Sequence, residues 1–276
     1  MKKALRILLI IGVALMATAC GAKPDIPEAA DKASQKDASN GNTLEEIKKK
    51  GEITIAVDDT FPPMNYRNDK NELVGFDVDL AKAVSEELGV KVNFIPTAWD
   101  GILPGLDAKR YDIIMSSMGI TDERKQKVDF VEYLRLGQIL AVQSGNPLKI
   151  QTKEDLSGKI VGVQMGSTSE SAAKEIAGVK ELKSYNGYTD VFNDLALGRV
   201  EGVIVAEAVG RYYKTLKPEV FDVTGDPFLK MPVGIAVRKE DDSLEKALND
   251  AVQKLQENGT FSEISNKWFG EDVTKQ

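Results

Sequence analysis

GFDVDLAKAVSEELGVKVNFI, residues 75–95, reads as a helix over 76–88 followed by a strand over 90–95. A buried strand, ITIAV at 53–57, precedes it, so the stretch is one strand–helix–strand unit. The same rhythm runs outward from it. Residues 100–108 read as a helix and 113–115 as a short strand. KIVGVQ at 159–164 then reads as a strand, 167–176 and 188–197 as helices, 202–205 as a strand and 207–215 as a helix. A strand at 234–237 and two helices, 243–257 and about 261–268, close the chain, with Ser243 as the expected N-cap of the first. Strands alternating with amphipathic helices imply α/β units with largely parallel sheets, and the pattern occurring twice favours two lobes.

The chain has 276 residues, an apolar fraction of 42%, one Cys and no His. That length fits one large domain or two ordinary lobes. Without His, a histidine-based catalytic triad and His-ligated zinc are excluded, and one Cys excludes an internal disulfide.

Lys2, Lys3 and Arg6 precede an uncharged run, ILLIIGVALMATA at 7–19, and then Cys20. The run is shorter than the ~20 residues a membrane-spanning helix needs and fits the apolar region of a secretory signal over 1–19. Ala17, Thr18 and Ala19 before Cys20 resemble a lipobox, which implies lipidation of Cys20; Ala17 stands where Leu is usual. The alternative is an ordinary cleaved signal with an incidental Cys. Residues 20–43 carry almost no large apolar side chains and read as a flexible tether. Removing 1–19 leaves 33 Lys+Arg against 43 Asp+Glu, a formal charge of −10. With no basic run, nucleic acid is not an expected partner.

The segment 75–81, GFDVDLA, resembles the corresponding motif of family 3 solute-binding proteins, the amino-acid-type receptors of ABC importers. DIIMSSMGITDER (112–124), VDF (128–130), DLALGRV (194–200), GIAVRK (234–239) and NGTFSEISNKWFG (258–270) agree with it in order and spacing. The resemblance covers the chain beyond Asn42. It implies an α/β fold of the two-lobed, periplasmic-binding-protein-like clamshell kind (type II). Hinge crossings fall near 136–141 and 231–235, with lobe 1 at 44–137 plus 234–276 and lobe 2 at 138–233. It also implies an extracytoplasmic, lipid-anchored monomer that captures a small solute and passes it to ABC permease and ATPase subunits. No chemistry on the solute and no cofactor are implied.

The resemblance assigns residues to the ligand. Arg124 takes the α-carboxylate, because a guanidinium grips a carboxylate through two parallel hydrogen bonds; as a bare residue, without the motif, it fits a surface ion pair better. Ser116, Ser117 and Gly119 form a loop that lets backbone approach the ligand, or simply a tight turn. Ser167 and Thr168 offer hydroxyl and backbone groups at a helix start, where Ser167 and Glu170 also fit a capping box. Phe61 and Trp99 are expected to stack on the ligand, the alternative being core packing. Asp58 matches a position that contacts polar or basic ligand groups, or is a solvated turn acid.

The chain departs from the pattern at Ala206, where an Asp usually holds the ligand's α-ammonium, and at Gly119, often Ser or Thr. Three readings follow: Glu207 or Asp58 replaces the acid, the ligand's amine is masked or lacking, or amino-acid affinity is lost. Two other functions compete. One is a cyclohexadienyl-dehydratase-like enzyme with Glu207 or Glu170 as general acid. The other is a sensor module docking to a membrane receptor.

Overall fold

The computed structural model describes residues 43–273. The expected signal at 1–19, Cys20 and the tether expected over 20–43 lie outside them, except Thr43, which begins α1. Among the described residues no helix is long and apolar enough to cross a membrane.

The described residues begin with α1 (Thr43–Lys50) and β1 (Glu52–Val57), then three short strands, β2 (Thr60–Phe61), β3 (Asn65–Arg67) and β4 (Leu73–Val74), paired antiparallel as a small separate sheet. Next come α2 (Phe76–Glu87), β5 (Lys91–Pro96), α3 (Trp99–Asp107), β6 (Ile113–Gly119), α4 (Asp122–Lys125) and the long β7 (Val128–Gln143). Then β8 (Ile160–Gln164), α5 (Thr168–Lys174), β9 (Glu181–Tyr185), α6 (Tyr188–Ala196), β10 (Gly202–Ala206) and α7 (Glu207–Leu216) follow. The last elements are the long β11 (Phe221–Arg238), α8 (Asp242–Glu257) and α9 (Thr260–Phe269). The α/β expectation is met. The strand expected at 234–237 is the end of an 18-residue strand. The expected cap also shifts: α8 is preceded by Asp241, and Ser243 lies inside its first turn.

Eight strands form one mixed sheet in the order β5-β1-β6-β11-β7-β10-β8-β9. β1 runs parallel to β5 and β6, and β8 parallel to β9 and β10. The long strands β7 and β11 pair antiparallel through the middle and tie the two parallel ends together. Their register is broken between Thr224 and Phe228, between Phe228 and Met231, and again between Val233 and Gly234.

Alternation along the strands separates the core. In β1, Ile55 and Val57 face one apolar cluster with Phe76, Leu80 and Leu248, whereas Ala56 faces another with Ile102 and Leu106. β10 does the same at the other end: Val203 and Val205 pack with Phe192 and Tyr213, and Ile204 packs with Leu156 and Ala172. Each end of the sheet is therefore covered on both faces, which is why its strands read as near-continuous apolar runs.

At the first end, Gly75 (φ 142°) brings the chain across the backbone of 63–64, where a Cβ would lie 2.1 Å from the Met64 carbonyl oxygen. This contact lets the amides of Phe76 and Asp77 donate to the Pro63 and Met64 carbonyls, both at 2.9 Å, and starts α2. Gly75→Ala should therefore destabilise the protein by about 2 kcal/mol or more in urea unfolding, with little change in m-value.

Candidate functional site

The parallel strands at both ends point their carboxyl ends at the same crevice, which is where open α/β sheets present binding groups. β1 ends beside Asp58, β8 ends on Gln164 and β10 ends on Ala206. From the first end the crevice is walled by Phe61, Trp99, Ser116, Ser117, Gly119 and Arg124. From the other end it is walled by Gln164, Ser167, Thr168, Ser169, Tyr188 and Ala206. Leu136, Gln138, Met231 and Val233 of the long strands form its floor. The free space is about 40 Å3. Since roughly 10–15 Å3 of such space holds one water, a solute of several heavy atoms enters by parting the two walls.

Arg124 sits in α4, after Thr121, whose hydroxyl accepts from the Arg124 amide at 3.2 Å and caps the short helix. Its side chain crosses the crevice: Nη1 donates to the Gly119 carbonyl at 2.8 Å and Nη2 to the Gly166 carbonyl at 3.1 Å on the opposite wall. The guanidinium carbon lies 5.4 Å from the centre of the Trp99 ring, and the Trp99 indole N–H also donates to Gly166, at 3.2 Å. Burial lowers the Arg124 pKa to about 10, so it is a full cation at neutral pH.

Arg124 is 9% exposed and Arg238 is 6% exposed. Arg238 has a carboxylate, Asp241, at 2.7 Å. For Arg124 no ion pair is found among the described residues, and the cavity wall contains no Asp or Glu. A buried cation held only by carbonyl oxygens keeps most of its desolvation cost, which an anion delivered to the crevice would offset.

Ser116 and Ser117 lie inside β6 rather than in a loop after it, and their hydroxyls turn away from the solute space. The Ser116 hydroxyl donates to Asn65 Oδ1 at 2.7 Å and accepts from the Asp58 amide at 3.0 Å. Ser117 has φ 46°, and its hydroxyl donates to Asp77 at 2.8 Å. Asp77 also accepts from the Tyr133 hydroxyl and the Asn65 amide, both at 2.8 Å. The wall of the crevice is thus fixed from behind, leaving backbone groups of β6 to face it. Gly119 leaves room between neighbouring side chains: a Cβ there would lie 2.8 Å from Met231 Sδ and 3.2 Å from Thr168 Cγ2, so a larger residue asks those side chains to shift.

On the opposite wall Ser167 is the N-cap of α5, its hydroxyl accepting from the Glu170 amide at 3.1 Å. The reciprocal half of the expected box differs, because the Glu170 carboxylate accepts from the Gly166 amide instead, at 2.9 Å. Thr168 faces the cavity and accepts from Gln138 at 3.2 Å. Phe61 stands against Tyr188 with ring centres 5.7 Å apart.

Two expected site residues are not on this wall. Asp58 is buried, but both its carboxylate oxygens are taken: Oδ1 by the Thr60 amide (3.0 Å) and hydroxyl (2.7 Å), Oδ2 by Gln164. Glu207, one residue beyond Ala206, points the other way and pairs with Arg211 at 2.6 Å on a separate cavity. Neither therefore stands directly in place of an acid at position 206. Conversely, Gln138, Gln164, Ser169, Tyr188 and Met231 line the crevice without having been singled out. Gln164 ends a strand already read from the sequence, and that placement was the available signal.

The sequence profile of bacterial extracellular solute-binding proteins, family 3, matches residues 53–271. The chain belongs to that family. This solute-binding protein is 35% identical over 243 residues to the L-cystine-binding protein TcyJ of Escherichia coli K12, covering 88% of this chain and 91% of that protein. Among solved structures it resembles an ABC uptake transporter substrate-binding protein from Streptococcus pneumoniae with bound histidine. That match has a TM-score of 0.80 and 32% identity, over 86% of this chain and 99% of that one. It also resembles an ancestral amino acid-binding protein, AncCDT-1, a precursor of cyclohexadienyl dehydratase. There the TM-score is 0.78 and the identity 39%, over 82% of this chain and 99% of that one. The protein is accordingly an extracytoplasmic receptor for a solute, and its named relatives are binding proteins.

The buried network behind the wall titrates. Burial raises the Asp77 pKa to about 7, against the donors on its carboxylate, which lower it. Its folded pKa thus exceeds the unfolded value of about 3.9, and the folded state holds the proton longer. Relative to Asp77→Asn, the wild-type protein should be most stable below about pH 4. It should lose on the order of a few kcal/mol as pH rises to about 7, with no further change above. Urea titrations of both proteins across that range would show it; parallel curves would exclude it.

Proposed function

We propose that this protein captures a small carboxylate-bearing solute of the amino-acid type by closure of two lobes and delivers it to the permease of an ABC importer. The observation that carries the reading is Arg124, a buried guanidinium without a carboxylate partner among the described residues, set between two walls. One lobe is residues 44–137 with 234–276, the other 138–233. The breaks in register of β7 and β11, near Leu136 and Met231, are where the chain can flex between them. A solute touching both walls binds the closed form better than the open one and shifts the population towards closure, which the permease reads. The secretory signal and Cys20 supply a lipid anchor at the outer face of the membrane, and the tether lets the monomer reach its permease.

Binding without turnover fits the wall. The two acids nominated for a dehydratase are both engaged elsewhere: Glu207 with Arg211, and Glu170 with the Gly166 amide, the Ser184 hydroxyl at 2.7 Å and Lys174 at 3.2 Å. A general acid must reach the leaving group directly or through one water, and no carboxyl group lines the cavity.

Arg124→Ala should reduce affinity for carboxylate solutes at least 100-fold in titration calorimetry, since a charged hydrogen-bonded pair contributes several kcal/mol in a buried site. Arg124→Lys should recover only part of it, because an ammonium cannot reproduce the two-pronged grip. Undiminished binding by Arg124→Ala would refute the carboxylate reading.

A further inference from the structure

The two walls also meet outside the solute space. Thr60 of β2, on the Arg124 side, packs against Gly187, which precedes α6 on the other side. A Cβ at Gly187 would lie 2.4 Å from Thr60 Oγ1, 2.9 Å from its Cβ and 3.2 Å from its Cγ2. Rotating the Thr60 side chain relieves nothing at its Cβ, and its hydroxyl is held by Asp58 Oδ1 at 2.7 Å. Gly187 itself has φ −147° and ψ 159°, extended backbone open to any residue. The constraint on position 187 therefore comes from the opposite wall, not from its own turn into α6.

A second contact joins the same walls. The Tyr66 and Tyr212 rings lie 5.5 Å apart between centres, an attractive separation for an aromatic pair. Each ring is fixed on its own side. Tyr66 stands edge-on to Trp268 at 6.2 Å, whose indole N–H donates to Asp79 at 2.9 Å. Tyr212 stands edge-on to Tyr213 at 5.8 Å, and Tyr213 stacks on Phe192 at 3.8 Å. None of Thr60, Gly187, Tyr66 and Tyr212 lines the crevice. Contacts of this kind change how often the walls meet, not what the solute touches. If the competent state has population f, every apparent dissociation constant is larger by 1/f, whatever the solute.

We propose that Thr60–Gly187 and Tyr66–Tyr212 form a latch between the walls that scales the affinity for all solutes without choosing among them. This rests on the proposed closure of two lobes and adds the contacts that set its equilibrium. Gly187 is a positioning residue: its missing side chain lets the walls come close enough for Arg124 to reach the Gly166 carbonyl.

The test uses residues 20–276 with Cys20→Ser, so that introduced thiols are the only ones. Thr60→Cys with Gly187→Cys brings two Cβ atoms together as the walls meet, through the separation of roughly 3.5–4.5 Å that a disulfide needs. Without solute, and with oxidised glutathione as oxidant, this pair should form an intrachain disulfide, read as loss of free thiol. Adding Tyr212→Ala should slow that at least threefold. Gly187→Ser is the second arm. Serine is a favoured helix N-cap, so urea unfolding of the solute-free chain should stay unchanged or move to higher urea. Calorimetry with L-cystine, L-histidine and L-arginine should nonetheless show each solute that binds weakened at least tenfold, by a common factor within twofold. In a Thr60→Gly background the same substitution should cost less than threefold. The inference is overturned if the cysteine pair stays reduced or if Tyr212→Ala leaves its oxidation rate unchanged. It is equally overturned if Gly187→Ser leaves binding unchanged or weakens different solutes by different factors. Failure of the proposed function shows separately. Solute would then leave the radius of gyration unchanged in small-angle X-ray scattering, and Arg124→Ala would bind as wild type does.

Discussion

A guanidinium buried between two walls, with only carbonyl oxygens to hold it, is the constraint around which this protein is organised. Arg124 spans from the Gly119 carbonyl to the Gly166 carbonyl and lies beside the face of Trp99. None of these partners neutralises its charge. Arg238 shows the alternative the same fold uses where charge serves structure: it is just as buried, but an aspartate lies 2.7 Å away. A structural arginine is completed by its own chain. The arginine of the crevice has no carboxylate partner among the described residues.

The rest of the site is arranged so that little else moves. Asp77, Asn65, Tyr133 and the two serines of β6 form a buried hydrogen-bonded group behind one wall. Along the other wall and the floor, the Tyr188 hydroxyl donates to Ser169, which donates to Gln138, and Gln138 donates to Thr168. Such networks fix side chains at low local dielectric, where an unpaired polar group is costly. The two walls are joined by β7 and β11, whose pairing breaks register on the floor of the crevice, between Phe228 and Met231.

The strand–helix alternation was legible because burial on both faces leaves apolar runs and covering helices leave a 3.6-residue period. It failed where the period was mixed. β7 and β11 change environment along their length, from a core-covered end to the floor of the crevice, so no single pattern marks them as long strands. The three short strands at 60–74 carry too few residues for any period to show. In the site, Arg124, Phe61, Trp99, Thr168 and Ser167 were placed through a family resemblance, and the structure brings all five to one cavity. Asp58 and Glu207 were named with them and lie off its wall. Which way a side chain leaves the end of a strand depends on neighbours distant in the chain, here Thr60 and Gln164 for Asp58, and Arg211 for Glu207.

The sequence by itself determined the class of fold, the family and the place of Arg124 within a family motif, because these depend on local patterning and on motifs kept in order. Only the tertiary structure decided that this arginine has no carboxylate partner among the described residues, that Gln164 bonds the buried Asp58 from the opposite wall, and that Ala206 lines the crevice. Those are statements about neighbours 40 to 110 residues apart in the chain. Charge balance in a buried site is a property of such neighbours rather than of any segment.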